Sequence, residues 1–208
     1  MVKFGSPEMF LKDHEVRFNQ LINANKRFQQ ISAVKQKQVK DKVDDYTTLF
    51  IKGYGTDPEL ISCFRELLFN SRELLDSLLF YIHKESEGKT NKKFLPFAKS
   101  LMNGAYDDIQ HEIIPFLKLN FTYVFHIRKL RNEIKNRVSN IKFLLITNQI
   151  NARFQVPIPS DEKTVIDFLE INNKDQAFEK GSYYCQINLT EYFPEVIKFW
   201  RTVFSIMK

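Results

Sequence analysis

The sequence predicts a mainly helical α+β fold: a helical bundle followed by a small antiparallel β hairpin or three-stranded sheet and a final helix. Up to about residue 140, apolar residues recur every three or four positions, which is the period of an amphipathic helix. From residue 141 the period becomes two, as in β-strands. Gly and Pro are scarce, at 6 and 7 of 208 residues, so the composition favours an ordered, largely helical chain.

Composition also narrows the kinds of partner and the cellular compartment to be expected. A formal charge of +6 and a pI near 9.2 permit an anionic partner such as RNA, DNA or a nucleotide without requiring one. Cys63 and Cys185 are isolated, which favours a reduced intracellular chain, and no apolar run reaches the roughly 18 residues of a membrane span. We therefore expect a cytoplasmic protein without a membrane partner.

Residues 1–52 are predicted to form a long N-terminal helix or a helical hairpin. Ser6, Pro7 and Glu8 have the order of an N-cap, a first-turn proline and a first-turn acid. Apolar positions then continue at loosely helical spacing to Tyr46. Lysines interrupt them, and a solvated face is the simplest interpretation of that charge. The pattern leaves open whether there is one helix or two.

Residues 53–140 are predicted to form the helical core. Asp57, just before Pro58, can cap a helix that runs from about residue 59 to 84. Its expected buried stripe consists of Ile61, Phe64, Leu68, Leu75, Leu79 and Ile82. The residues that line up along one edge of this stripe are Arg65, Arg72, Asp76 and His83. This edge is either an Arg72–Asp76 ion pair with outward-pointing neighbours, or a polar line that faces a partner helix or an anion.

Two further helices are expected in this range. The first runs from Asn91 to Met102 and ends at Asn103-Gly104. The second runs from about Pro115 to Asn136, with a start or kink at the proline. Arg131 falls at the edge of its apolar stripe, where a guanidinium needs a partner, and we expect Asp76 or His83 to be near it.

Residues 141–208 are predicted to pack on the helical core, so that the chain forms one compact unit. Alternation predicts a hairpin whose strands lie on either side of Asn148-Gln149. Ser160 is expected to cap a short helix, and Tyr183 to Leu189 to form a third strand. Thr190 is expected to cap the final helix.

No set of residues in the sequence has the spacing of a catalytic or metal site. His14, His83, His111 and His126 lack metal-ligand spacing, and neither cysteine has a nucleophile signature. We therefore expect no metal and no cofactor, and no residue is a firm candidate for catalysis.

The segment Leu130-Arg-Asn-Glu-Ile-Lys-Asn136 resembles the end of the conserved helix in HEPN domains, which are common in prokaryotic toxin–antitoxin and defence systems. In that family an Arg, often followed by Asn, precedes a His by four to six residues, and nuclease members cleave RNA without metal across a dimer. The matching positions here are Arg131 and Asn132, with a looser likeness from about residue 60 to 136. Asn136 stands where the histidine would fall, and an amide cannot shuttle a proton near neutral pH.

The resemblance favours a HEPN-like, non-catalytic binding protein, a homodimer that binds RNA, a nucleotide or a cognate protein partner. Its expected binding residues are Arg131, Asn132, Arg128, Lys135 and Arg72. One alternative is a metal-independent endoribonuclease in which His83 replaces the missing base. Another is a protein-interaction scaffold. A purely structural role is also open for these cations, because they complement the dipole at a helix C-terminus.

Overall fold

The structure is a computed structural model that describes residues 7–40, 48–50, 57–85, 100–109, 111–136, 141–154 and 185–208. The fold is α+β and mainly helical, as predicted. Its helices are α1 (Pro7–Lys40), α2 (Pro58–Glu85), α3 (Ile113–Leu119), α4 (Phe121–Asn136) and α5 (Leu189–Ile206). Its strands are β1 (Thr48–Phe50), β2 (Ile141–Ile146), β3 (Gln149–Phe154) and β4 (Cys185–Asn188).

Helix α1 is 34 residues long, so residues 7–40 form one helix and not two. It packs along α2, and ion pairs mark the contact at three levels: Arg17–Glu73, Arg27–Glu66 and Lys35–Asp57. Residue numbers rise along α1 while those of the partners fall along α2, so the two helices are antiparallel.

Helix α2 begins as predicted, with Asp57 as its N-cap. The Asp57 Oδ1 atom accepts hydrogen bonds from the backbone N–H groups of Glu59 and Leu60, both at 3.1 Å. Pro58 takes the first helical position, where its missing N–H has no intrahelical acceptor to lose. The predicted apolar stripe is buried, with Leu79 partly so.

The predicted helix from about residue 115 to 136 is instead two helices. Helix α3 starts at Ile113, so Pro115 lies in its first turn and Ile114 is helical. A helix therefore starts near Pro115 as expected, two residues before it, but Ile114 was wrongly expected to leave helical geometry; a proline in the first turn gives up no intrahelical hydrogen bond. The helix is interrupted at Asn120, the C-cap of α3, whose Nδ2 donates to the Phe116 carbonyl at 2.9 Å.

Gly104 ends the preceding helical segment, as predicted, although residues 91–99 of that segment lie outside the described residues. Its φ is +77°, which a side chain would oppose. The Gly104 N–H donates to the Leu101 carbonyl at 3.3 Å, and the Ala105 N–H donates to the Ser100 carbonyl at 2.9 Å. This pair of bonds is the Schellman motif.

Within the described residues the sheet has four strands in the order β1-β2-β3-β4, and all neighbours are antiparallel. The three-stranded expectation missed β1, a strand of 3 residues that pairs with β2. The turn between β2 and β3 consists of Thr147 and Asn148, one residue earlier than the alternation suggested. Both have positive φ, at 48° and 63°, as a two-residue type I′ hairpin requires.

Helix α5 is capped by Asn188 rather than by Thr190 as expected. The Asn188 side chain accepts the Thr190 N–H at 3.1 Å, so β4 ends directly at the cap. The Thr190 hydroxyl has a different role, because it accepts the N–H of Ile150 in β3 at 3.1 Å and ties the helix to the sheet. The helix predicted after Ser160 lies outside the described residues.

One hydrophobic core joins the three predicted ranges. Phe28 of α1 stacks on Phe193 of α5 at 4.2 Å between ring centroids, and Phe64 of α2 meets Phe154 of β3 at 6.0 Å. Trp200 of α5 is fully buried. These four phenylalanines therefore fill the space between helices and sheet. Among the described helices, none has both the length and the apolarity needed to cross a membrane.

Candidate anion-binding site

Two lines of cationic side chains meet where α2 packs against α4. On α2, Arg65, Phe69 and Arg72 follow one another at helical spacing along the predicted edge. On α4, Arg128 and Arg131 are three residues apart and share a face. Because the two helices are in contact, the lines come together. We call Arg65, Arg72, Arg128 and Arg131 the arginine cluster.

Arg131 rests on an aromatic ring. Its guanidinium carbon lies 4.7 Å from the centroid of the Phe69 ring, within the range of a cation–π contact. Its Nη1 donates to Oδ1 of Asn132 at 3.3 Å, and its Nε is buried with no hydrogen-bond partner among the described residues. Arg65 approaches the same ring, with its guanidinium carbon at 5.9 Å from the centroid.

Arg72 forms the ion pair with Asp76 that one of the two interpretations of this edge predicted. The Arg72 side chain is 14% exposed and that of Asp76 is 52% exposed, so the carboxylate lies on the solvent side of the pair. Asp76 is therefore occupied by Arg72, while Arg131 forms no ion pair with a described residue. The expected direct pairing of Arg131 with Asp76 is not made.

The charges in the cluster act on one another. Burial lowers the pKa of Arg72 to about 10; the negative charge of Asp76 opposes this shift, and the positive charges of Arg128 and Arg131 add to it. Burial also lowers the pKa of Arg128; the negative charge of Asp76 opposes this shift, and the positive charge of Arg131 adds to it. Burial raises the pKa of Asp76, and the three arginines oppose that shift. Arg72 and Arg128 therefore remain subject to repulsion from neighbouring arginines even though Asp76 is beside them.

The remaining predicted residues differ in how they relate to the cluster. Asn132 contacts Arg131 directly, and Lys135 is exposed one turn beyond Arg131 on the same face of α4. The backbone of His83 lies roughly 21 Å further along α2 than that of Phe69 at the helical rise per residue. This places the histidine backbone far from the ring that holds Arg131. The side chains of His83 and Asn136 lie outside the described residues.

Phe69 is the site residue that was missed from the sequence. It lies four residues after Arg65 and three before Arg72, so the pattern that aligned the charged edge also included this ring. It was not among the predicted stripe residues, and its partly buried side chain packs against the hydrophobic core.

No group of three or more His, Cys, Asp and Glu residues among those described could hold a metal ion. His111 has a structural role, since its Nδ1 accepts the Ile113 N–H at 3.1 Å at the start of α3. Burial lowers the pKa of His111, in keeping with a nitrogen that must stay unprotonated to accept this bond.

Comparison of the chain with protein-family models, with curated protein sequences and with solved structures gives no match.

Proposed function

We propose that this chain is a non-catalytic binding protein that holds RNA at the arginine cluster between α2 and α4. One observation carries the proposal: Arg65 and Arg131 contact the Phe69 ring and form no ion pair with a described residue. Guanidinium groups that lack a protein carboxylate can bind phosphate bidentately. The cluster thus has cations to offer to an external anion.

The size of the cluster favours a polyanion over a single nucleotide. Arg65 and Arg72 are roughly 10 Å apart along α2, and Arg128 and Lys135 are roughly 10 Å apart along α4. One guanidinium fork suffices for one phosphate, so a field of this size suits consecutive phosphates. Aromatic rings and guanidinium planes also stack on unpaired bases, and Phe69 with its two arginines supplies both surfaces.

The resemblance to HEPN domains supports RNA as the polymer and a cytoplasmic site of action. Binding without cleavage is supported by Asn136, which stands at the position of the family's histidine, and by the distance along α2 between Phe69 and His83. The homodimer, the cognate protein partner and the toxin–antitoxin or defence context remain predictions from that resemblance.

The decisive experiment is retention of labelled single-stranded RNA by the protein across a salt series in metal-free buffer. We expect Arg131→Gln to weaken binding about tenfold, or about 1.4 kcal/mol, and to reduce the slope of log affinity against log salt by about one. Arg201→Gln is the matched control, because it removes the same charge from an exposed position on α5. We expect it to change affinity less than about twofold.

Two outcomes would overturn the proposal. Equal weakening by Arg131→Gln and Arg201→Gln would mean that net charge alone attracts the RNA. Cleavage products that disappear in His83→Ala would instead establish the endoribonuclease alternative.

A further inference from the structure

We infer that Asp76 is a built-in counter-ion of the arginine cluster: in the free protein its carboxylate occupies the place at Arg72 that a phosphate of the bound RNA takes in the complex. The inference rests on the proposed function and adds a regulatory element to the same site. Its consequence is that the chain limits its own affinity for RNA.

The geometry of the Arg72–Asp76 pair supports this exchange. Arg72 is largely covered, at 14% exposed, while its partner is 52% exposed and one helical turn away on the same edge of α2. A ligand that approaches Arg72 from solvent therefore meets Asp76 first. Carboxylate and phosphate oxygens use the same guanidinium fork, so the two anions compete for the same donors.

The surroundings of Asp76 are cationic on the α4 side as well. The charges of Arg128 and Arg131 act on Asp76 in addition to that of Arg72. Within the described part of the chain, Asp76 is therefore the carboxylate on which three arginines converge. Its negative charge offsets part of the field that would otherwise attract a polyanion.

Asp76 is also free to give up its position, unlike Asp57, the acid that caps α2 and pairs with Lys35. Asp57 pairs with Lys35 but is 4% exposed and caps α2 through two backbone N–H groups, so it cannot turn away without uncapping the helix. Asp76 lies in the body of α2 and holds no backbone N–H group in the described structure. Its half-exposed carboxylate can rotate into water when a phosphate arrives.

The test compares two substitutions on α2 that each remove one negative charge. Asp76→Asn keeps the side-chain shape, and we expect it to raise affinity for single-stranded RNA about tenfold and to leave the salt slope unchanged, because the same phosphate contacts Arg72 in both complexes. Glu73→Gln is the control, because Glu73 is 53% exposed like Asp76 but pairs with Arg17 of α1 instead of with an arginine of the cluster. We expect Glu73→Gln to change affinity less than about twofold.

A second arm asks whether Arg72 becomes available when Asp76 is neutralised. Arg72→Gln should weaken RNA binding more in the Asp76→Asn background than in the original chain, by about threefold or more. Far-UV circular dichroism and urea midpoints of each variant show whether it is folded.

The two hypotheses fail in different ways. If Arg131→Gln weakens binding but Asp76→Asn and Glu73→Gln have equal effects, the counter-ion inference is wrong and the proposed function stands. Weaker binding by Asp76→Asn also refutes the inference, because Asp76 would then be holding Arg72 in place for the ligand. If neither the original chain nor Asp76→Asn retains RNA, the proposed function itself fails.

Discussion

Helix α2 packs against both α1 and α4, and arginine residues are accommodated differently at the two interfaces. Toward α1, Arg17 and Arg27 each form an ion pair with a glutamate of α2. Toward α4, Arg131 lies on the Phe69 ring and pairs with no described acid. Arginine therefore joins two helices through ion pairs at the α1 interface, whereas at the α4 interface it is available to bind an external anion.

The difference arises from where the acids of α2 lie. Glu59, Glu66 and Glu73 recur every seven residues, so they share the face of α2 that packs on α1. Asp76 is the acid at the α4 interface, and it is engaged by Arg72. We expect substitutions of charged residues toward α1 to affect stability, and those toward α4 to affect binding.

The largest expected effect is at Asp57, the buried acid of the α1–α2 interface. Asp57→Ala removes a helix cap and leaves Lys35, which is 13% exposed, without its nearest carboxylate. We expect the free energy of unfolding to fall by about 3 kcal/mol, as measured by urea denaturation. Asp76→Ala should cost less, about 1 kcal/mol, because Asp76 is 52% exposed and caps no helix, although its loss leaves Arg72 without a carboxylate. Equal losses for the two variants would contradict the division between the interfaces.

Arg27 and Arg131 test the comparison with the same substitution on each side. The Arg27 guanidinium donates to Cys63 Sγ at 3.0 Å and to Ser62 Oγ at 2.9 Å, besides pairing with Glu66. Arg27→Gln should therefore lower the free energy of unfolding by about 1 kcal/mol, while RNA affinity changes little. Arg131→Gln should instead weaken RNA binding and leave the free energy of unfolding nearly unchanged. If Arg131→Gln costs more stability than Arg27→Gln, Arg131 is a structural residue.

The smallest effect is an alkaline pH dependence of stability that arises from Lys35 on the α1 side. Burial would lower the pKa of Lys35, but hydrogen bonds and charge from Asp57 and Glu59 outweigh burial and raise it. A raised folded-state pKa gives stability that is fully present below the unfolded lysine pKa, near 10.4, and is lost as pH rises through the folded value.

We therefore expect urea midpoints to decline above about pH 10.4, and to decline less in Lys35→Arg, whose charge persists at that pH. An equal decline in both chains would exclude Lys35 as the cause.

Local patterns predicted the elements whose causes are local. The Asp57 cap, the stripe of α2 and the Gly104 helix end each depend on residues within one or two turns. Strand β1 was missed because three residues carry no period, and it is defined by pairing with β2 far along the chain. Thr190 was misassigned for a similar reason, since its hydroxyl bonds to a distant strand.

At the candidate site, too, features set within one helix were predictable and contacts between helices were not. A helical wheel placed Arg72 and Arg131 at the edges of their stripes, which the structure confirms. The wheel gives the direction of a side chain but not which residue of the neighbouring helix lies level with it. The aromatic partner of Arg131 was therefore not predictable, and a carboxylate was the reasonable expectation on chemical grounds.

The burial of Trp200 gives this protein its own optical reporter of folding. It is the single tryptophan of the chain and is fully buried. The Phe199 ring lies edge-on to it, with 5.1 Å between the ring centroids. Its intrinsic emission should be shifted to the blue in the native state and move to the red on unfolding. Substitutions at the arginine cluster that disturb only ligand binding should leave this spectrum unchanged, whereas those that loosen the core should shift it.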